Sequence, residues 1–249
     1  RLGYGLEQDT AMLLASYCAS GRDAVNMVQL AAGAAYGEGR RQITDGDVRW
    51  VTQISNCQRH IQPKLPETPK AGVSVGLAVG NGGVGVAIEI ECLVEPARSK
   101  GAGALEVGGA VEYEELELQG RRLGRKGTAR TSAENVLGAF QKNLGWDANA
   151  YDVRFNIPGG LPMDGPSAGI ALAVALMGAI SGKAPIPKLA LTGEITVQGE
   201  VRPVGGVAEK LDAAIQGGAH TVLIPKANWE EAYASLPCDV IPVEDIAQT

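Results

Sequence analysis

A run of three prolines divides this chain into two parts with different patterns. Pro63, Pro66 and Pro69 follow one another at intervals of three. Proline locks φ and has no amide hydrogen to donate, so the run excludes a helix and disfavours the interior of a sheet. It therefore predicts a stiff linker over 63–70 and a domain boundary at this place.

The part before the linker, residues 1–62, has the periodicity of helices. Val28 and Ala32 recur at helical spacing. Thr44, with Asp47 three residues later, is typical of a helix N-terminus, because both side chains can satisfy free backbone N–H groups. The pattern predicts a small all-α domain of about four helices.

The part after the linker, residues 71–249, predicts an α/β domain. Alternating apolar and small residues around an Asn-Gly-Gly turn at 81–83 indicate a hairpin, and a second hairpin is predicted through 103–120. An apolar helix is predicted over 168–180. From 188 onwards, strand patterns alternate with helical ones, which is typical of β-α-β units.

The chain has a formal net charge of −6, so it is a poor candidate for binding a nucleic acid, which needs a cationic surface. Its basic cluster at 121–126 follows an acidic run at 112–117, and we interpret the two as opposite strands of an exposed hairpin. The four cysteines form no C-x-x-C pair, which, with no signal peptide, predicts free thiols and a cytoplasmic protein. The apolar stretch at 168–180 is too short to span a membrane.

Few residues are available for nucleophilic or metal chemistry. The two histidines, His60 and His220, lie beside the linker and at the start of a predicted strand, so a Ser-His-Asp triad is not expected. The sequence has no H-E-x-x-H motif, no Cys/His cluster and no G-x-x-x-x-G-K-[S/T] loop. We therefore expect neither a metal nor a cofactor in this part of the protein.

One glycine- and proline-rich segment, PGGLPMDGPSAG at 158–169, offers a nucleophile. Asp164 is suited to cap the apolar helix that follows, which would place Ser167 at the helix N-terminus. Free backbone N–H groups at such an end can stabilise a developing oxyanion. A serine that only caps a buried helix is the alternative, and these residues alone leave both interpretations open.

Lys210 is the candidate general base for Ser167. It lies on a predicted helix with Val207, Leu211 and Ala214 at helical spacing. Burial lowers the pKa of a lysine because it disfavours the charged form, and a neutral amine can accept a serine proton. A solvated lysine at the rim of the helix remains the alternative.

Four motifs close together in the sequence resemble the proteolytic domain of the Lon protease family. They are PMDGPSAG at 162–169, LTGEIT at 191–196, VRPVGGVAEK at 201–210 and GGAHTVLIP at 217–225. Ser167 precedes Thr192 by 25 positions and Lys210 by 43, as in that family. The resemblance implies an α/β (α+β) Lon-type proteolytic domain and a serine endopeptidase with a Ser-Lys dyad. It also implies that Thr192 supports the lysine.

The helical part is similar to the small lid of an AAA+ ATPase module, with Arg22 at the place of the sensor-2 arginine that reaches the nucleotide phosphates. The chain begins at Arg1 and not at Met, so we expect a piece of a longer protein. The resemblance implies an ATP- and magnesium-dependent homo-hexamer that degrades unfolded, damaged or regulatory proteins. No membrane segment is expected in this piece.

The sequence departs from the common bacterial pattern before the serine loop. Where many bacterial relatives carry histidines, this chain has Arg154 and Asn156. The stretch 101–130 is also long, which resembles a B-type or divergent branch of the family. The resemblance also implies an acidic residue near the site from an early strand, with Glu89 preferred over Glu91; a glutamate that only faces the solvent is the alternative.

Two other functions remain open. A Lon-like domain without peptidase activity would serve the assembly of an AAA+ ATPase. A chaperone-like ring subunit would bind unfolded chains without cutting them. An assembled site in which Asp164 blocks Ser167 would favour the chaperone-like function.

Overall fold

The computed structural model divides the chain into two compact units, residues 1–61 with 81–84 and residues 62–80 with 85–249. The structure describes residues 3–18, 20–57, 59, 63–80, 83–99, 101–109, 113–118, 121–126, 128–158 and 166–249. In these ranges, no helix is both long and apolar enough to cross a membrane.

The described part of the smaller unit contains three α-helices and a short parallel pair of strands. In chain order, its elements are β1 (Gly5–Leu6), α1 (Gln8–Ala15), α2 (Gly21–Gly37), β2 (Gln42–Ile43) and α3 (Asp45–Ile54). The described residues of this unit form three α-helices and not the expected four or so, and residues 5 and 6 pair with 42 and 43 as strands. Leu14, Met27 and Val48 are among the side chains that form the core between the helices.

The predicted N-terminus of α3 is confirmed. Thr44 is its N-cap, and the side chains of Thr44 and Asp47 form a capping box. Arg40 donates hydrogen bonds to both carboxylate oxygens of Asp47, at 3.0 and 2.8 Å. These bonds hold the pKa of Asp47 well below its usual range. The interaction belongs to the smaller unit and stabilises the start of its last helix.

A seven-stranded mixed sheet is the centre of the larger unit. The strands of this unit are β3 (Val73–Val79), β4 (Gly85–Pro96), β5 (Leu105–Gly108), β6 (Tyr113–Leu118), β7 (Arg121–Lys126), β8 (Tyr151–Asn156), β9 (Leu189–Leu191), β10 (Glu194–Ile195), β11 (Val201–Arg202), β12 (Thr221–Pro225) and β13 (Asp239–Val243). Its α-helices are α4 (Thr128–Leu144), α5 (Gly169–Ser181) and α6 (Val207–Gln216). The order in the sheet is β13-β12-β9-β3-β4-β8-β5.

Strand β4 runs in the opposite direction to the other six strands of the sheet. Strands β13, β12, β9 and β3 run parallel to one another, β4 is antiparallel to both β3 and β8, and β5 is parallel to β8. The α/β class predicted for the part after the linker is confirmed. The carboxyl ends of β3, β9 and β12 therefore lie at one edge of the sheet, which is where ligands bind in open α/β sheets.

One predicted hairpin is confirmed and one is wrong. Strands β3 and β4 form the first hairpin, although residues 81 and 82 of its turn lie outside the described ranges. The second does not form, because β5 pairs in parallel with β8 and buries Val107 in the core. The acidic strand β6 instead pairs with the basic strand β7, as expected for opposite strands of a hairpin.

Helices cover the two faces of the sheet. The side chains of β3 alternate between the faces: the Ser74 hydroxyl donates to the Ala171 carbonyl of α5 at 2.8 Å, whereas Val75 and Leu77 share a core with α6. Helix α5 is apolar on all sides and buried over most of its length, and it packs with α4 on the first face. Helix α6 buries only one stripe, against the opposite face.

Candidate active site

Ser167 lies in a 3₁₀ turn, Pro166–Ala168, directly before α5. Its carbonyl oxygen accepts a hydrogen bond from the Gly193 N–H at 2.9 Å. In return, the Ile170 N–H donates to the Gly193 carbonyl at 3.1 Å. The two bonds hold the serine turn against the chain that follows β9.

The α-helix begins later than the sequence predicts. Its N-cap is Ala168 and its first residue is Gly169, so Ser167 precedes the helix. A Cβ atom at Gly169 would lie 2.4 Å from the Ile195 nitrogen, so this contact requires glycine. The Ile170 N–H already has a partner and is not free to bind an oxyanion. Asp164, the predicted cap and gate, lies outside the described residues.

Thr192 directly follows β9 and is fully buried, at 0% exposure. Its N–H donates to the Leu223 carbonyl of β12 at 3.0 Å. Since Ala190 faces α6, the alternation of the strand carries the side chain of Thr192 to the same face. The Thr192 hydroxyl has no hydrogen-bond partner among the described residues. A buried hydroxyl without a partner is costly, which marks this position as a candidate functional residue.

Lys210 lies on the buried stripe of α6, together with Val207, Leu211 and Ala214. Only 3% of the residue is exposed. Burial lowers the pKa of its amine to about 8, because removal from water disfavours the charged form. Among the described residues, the amine forms no ion pair. The predicted buried lysine is therefore observed, and the solvated alternative is not.

Close backbone contacts place the first turn of α6 over the end of the β3–β4 hairpin. A Cβ atom at Gly206 would lie 2.5 Å from the Val79 side chain, and one at Gly85 would lie 1.9 Å from the Glu209 carbonyl oxygen. Val79 and Gly85 are paired in the hairpin. Lys210, one residue after Glu209, therefore lies above the edge of the sheet at which β3 ends.

The tertiary structure brings Ser167, Thr192 and Lys210 to the same edge of the sheet. Gly193 joins the first two, because it follows Thr192 in the chain and donates to the Ser167 carbonyl. Within the described residues, no hydrogen bond links the three side chains. The site thus holds a serine hydroxyl, a buried threonine hydroxyl and a poorly solvated amine, which are the groups needed to activate a nucleophile.

Glu89 does not lie beside Ser167, Thr192 and Lys210. It pairs with Val75 on β4 and is exposed. Its strand is the second one over from β9, and it is offset from Thr192 by two residues along the strands. Strand geometry puts the two backbone positions on the order of 10 Å apart. Glu89 instead lines a separate small cavity of about 90 Å³, with Lys70 and Glu91.

Arg22, the predicted nucleotide contact, belongs to the smaller unit. It is an exposed residue in the first turn of α2. Among the described residues, it forms no ion pair. An exposed guanidinium without a carboxylate partner is suited to a phosphate.

Arg154 and Asn156, which stand where the resemblance led us to look for histidines, interact with carboxylates. Arg154 forms an ion pair with Glu106 at 2.8 Å between Nε and Oε2. The Asn156 amide donates to Glu91 at 2.8 Å. Both contacts tie neighbouring strands of the sheet together at an exposed position.

Sequence reasoning missed two polar side chains near the site. The Asn228 amide bonds to both the N–H and the carbonyl of Val204, in the loop before α6. Ser132 is buried on α4, which packs against the serine turn, and its hydroxyl has no partner among the described residues. The sequence around neither residue carries a motif that would have revealed these environments.

Comparison with known proteins identifies the family. Residues 47–245 match the family described as Lon protease (S16) C-terminal proteolytic domain. The chain is 43% identical over 219 residues to "Lon protease 2" of Bacillus subtilis (strain 168), which covers 88% of this chain and 39% of that protein. It is 34% identical over 211 residues to "Lon protease" of Vibrio parahaemolyticus, which covers 80% of this chain and 25% of that protein.

An archaeal relative extends the match. The chain is 30% identical over 242 residues to "Archaeal Lon protease" of Pyrococcus abyssi, which covers 90% of this chain and 23% of that protein. The protein is therefore a member of the Lon protease family, with the mixed α/β proteolytic domain of that family. The matched regions span well under half the length of these three relatives.

Replacement of the buried amine will stabilise the fold. We expect Lys210→Met to raise the free energy of unfolding at pH 7 by at most about 3 kcal/mol, because methionine fills the site without the cost of a buried charge. The folded protein releases the Lys210 proton at about pH 8, and the unfolded chain does so near 10.4. The wild type therefore gains stability as the pH rises between these values, and the advantage of the variant shrinks over the same interval.

Urea unfolding at pH 7 and pH 10 measures this difference. Lys183→Met is the matched control, because Lys183 is exposed, and we expect it to change stability by less than about 0.5 kcal/mol at both values. A Lys210→Met variant less stable than the wild type at pH 7 would contradict the burial of an unpaired amine.

Proposed function

We propose that this chain is the proteolytic part of an ATP-dependent Lon protease and acts as a serine endopeptidase, with Ser167 as the nucleophile and Lys210 as its general base. The proposal rests on one observation above all. A lysine with 3% exposure and a pKa of about 8 lies at the same edge of the sheet as a serine that precedes a buried helix. A base is most effective when its pKa lies near the working pH.

In the proposed mechanism, the neutral amine of Lys210 accepts the proton of the Ser167 hydroxyl as the oxygen attacks the scissile carbonyl. The resulting ammonium then donates this proton to the leaving amine of the substrate. Water repeats the sequence on the acyl-enzyme and releases the second product. Burial supports this cycle, because it makes the ammonium form unfavourable and so favours return of the proton.

Thr192 is proposed to orient the lysine. Its hydroxyl is fully buried and has no partner among the described residues, and its strand position directs it towards the face that α6 covers. In the proposed arrangement, the Thr192 oxygen accepts a hydrogen bond from the Lys210 amine. Such a bond would restrict the amine to orientations in which its lone pair points to Ser167.

The complete protein is proposed to be a cytoplasmic homo-hexamer that uses ATP and magnesium to unfold its protein substrates. Support comes from the longer relatives and from Arg22, whose exposed guanidinium is available to a nucleotide phosphate. The smaller unit would then be the lid of an AAA+ module. Unfolded, damaged or regulatory proteins are the proposed substrates.

Cleavage by the dyad can be tested directly. We expect the chain to hydrolyse casein or a fluorogenic peptide, and Ser167→Ala and Lys210→Ala each to reduce the rate by at least about a thousandfold, because nucleophile and base act as a unit. Peptide hydrolysis followed by fluorescence measures the rates. Lys183→Ala serves as a control at an exposed lysine.

Each outcome discriminates between functions. Cleavage that survives in Ser167→Ala would place the nucleophile elsewhere. If neither this chain nor an ATP-supplied longer form cleaves, the peptidase proposal is wrong. Binding of unfolded casein without cleavage would then favour the chaperone-like function.

We expect the rate of peptide hydrolysis to depend on pH through the protonation state of Lys210. Hydrolysis should rise with pH and level off above an apparent pKa of about 8, the value to which burial lowers the pKa of Lys210. The direction follows because only the neutral amine can accept a proton. A profile of kcat between pH 6 and pH 10 measures it, with Lys210→Arg as an inactive control that stays charged. A rate independent of pH would exclude Lys210 as the base.

Thr192 offers a test that separates catalysis from folding. We expect Thr192→Val to lower kcat by about tenfold to a hundredfold, by analogy with the loss of a catalytic hydrogen bond, and to leave KM within about twofold. Because the hydroxyl is buried without a partner, its removal should stabilise the fold slightly. Thr192→Ser keeps the hydroxyl and should retain most of the activity. Equal activity of Thr192→Val and the wild type would remove Thr192 from the site.

A further inference from the structure

A single amide side chain holds the loop that leads into α6. Asn228 ends a 3₁₀ turn, Lys226–Asn228, just after β12. Its Oδ1 accepts a hydrogen bond from the Val204 N–H at 2.8 Å, and its Nδ2 donates to the Val204 carbonyl at 3.0 Å. The amide thus pairs with both backbone groups of one residue, as a neighbouring strand would.

Val204 precedes α6 and packs against the core that this helix shares with the sheet. The loop from 203 to 206 connects β11 to α6, and the N-cap of α6, Gly206, is in the left-handed region with a φ of 66°. Glycine offers no side chain to cap the helix or to anchor the loop. The close contacts of Gly206 and Gly85 set how near the first turn of α6 lies to the β3–β4 hairpin, and the position of Val204 sets where the chain enters that turn.

Lys210 is the residue that this first turn presents to the site. Its N–H donates to the Gly206 carbonyl at 3.1 Å, which closes the first turn of the helix. Lys210 comes six residues after Val204, with only the short loop and one helical turn between them. A displacement of Val204 would change the rotation of α6 and so the direction in which the lysine amine points.

The strand before Asn228 also holds the other supporting residue. The Leu223 carbonyl of β12 accepts the Thr192 N–H at 3.0 Å, and Asn228 follows the end of the same strand. One strand therefore sets the position of Thr192 at its middle and the position of the α6 loop just beyond its end. Because both attachments are made to β12 or directly after it, they fix the position of Lys210 relative to Thr192.

We propose that Asn228 is a positioning residue for the dyad: its amide fixes Val204 and thereby the rotation of α6 that directs Lys210 towards Ser167. The inference deepens the proposed peptidase function and rests on it. Asn228 acts through the backbone and contacts neither the substrate nor the reacting atoms.

Three variants separate positioning from general stability. Asn228→Ala removes both hydrogen bonds, and Asn228→Asp keeps the acceptor for the Val204 N–H but sets a carboxylate against the Val204 carbonyl. Asn143→Ala is the matched control, because the Asn143 amide also makes two bonds to backbone carbonyls, at 2.9 and 3.1 Å, but on α4 and the 198 loop. Thermal unfolding of each variant gives the loss of stability.

Two readouts are needed, kcat with KM for peptide hydrolysis and the apparent pKa of the Lys210 amine. The second comes from the pH dependence of its acetylation by acetic anhydride, read by mass spectrometry, and does not depend on activity. Helix α6 packs on β3, β4 and β12. Of these strands, β4 carries Glu89, Glu91 and Glu95, and α6 itself carries Glu209 and Asp212. None of these carboxylates is substituted in the variants, so a change in the measured pKa reports a change in the surroundings of the Lys210 amine.

We expect Asn228→Ala to lower kcat at least tenfold with KM within about twofold, and to move the apparent pKa of Lys210 up towards that of free lysine. Asn228→Asp should show a smaller change in the same direction, and it decides the question if the alanine variant does not fold. Asn143→Ala should lose comparable stability with kcat and the pKa unchanged.

The proposal is overturned if Asn228→Ala and Asn228→Asp leave the apparent pKa of Lys210 at the wild-type value, or if Asn143→Ala changes it equally. Failure of both the wild-type chain and an ATP-supplied longer form to cleave peptide would instead contradict the peptidase function. In that case, the change in the pKa alone decides whether Asn228 positions the lysine.

Discussion

Burial of the Lys210 amine between α6 and the sheet governs how the rest of the site is arranged. A charged ammonium among Val207, Leu211 and Ala214 would cost several kcal/mol without a partner, so the group responds by losing its proton more readily. The neutral amine that results is the form that can act as a base. The same burial destabilises the fold near neutral pH, which is a familiar consequence of building a functional group into a core.

The sheet supplies the geometry that this amine needs. Strands β3, β9 and β12 are parallel, so their carboxyl ends lie together. Helices on the two opposite faces start at this common edge, α5 just after Ser167 and α6 just before Lys210. Glycine at 169 and 206 allows the backbone approaches on which this depends, because a Cβ atom there would lie within 2.5 Å of a neighbouring atom.

Local sequence patterns predicted the elements whose causes are local. The apolar run before Ser181 became the buried helix α5, and the Thr44–Asp47 pair became a capping box, because such features depend on residues a few positions apart. The second hairpin was wrong because β5 finds its partner in β8, more than 40 residues later, and alternation in one segment does not specify which strand it joins. The helix after Ser167 began later than expected, since the backbone bonds of Gly193 hold the serine in a 3₁₀ turn.

The sequence by itself determined the family and the identity of the dyad candidates, because four motifs with matching spacing carry that information without any knowledge of packing. The sequence left open whether Lys210 is buried away from water, where Glu89 lies and what holds α6 in place. The tertiary structure decided these points: Lys210 is buried, Glu89 lies away from the other candidates, and Asn228 holds the loop before α6. The reason is physical, since burial and hydrogen bonding between distant segments depend on which surfaces the fold brings together, and a one-dimensional pattern does not contain those contacts.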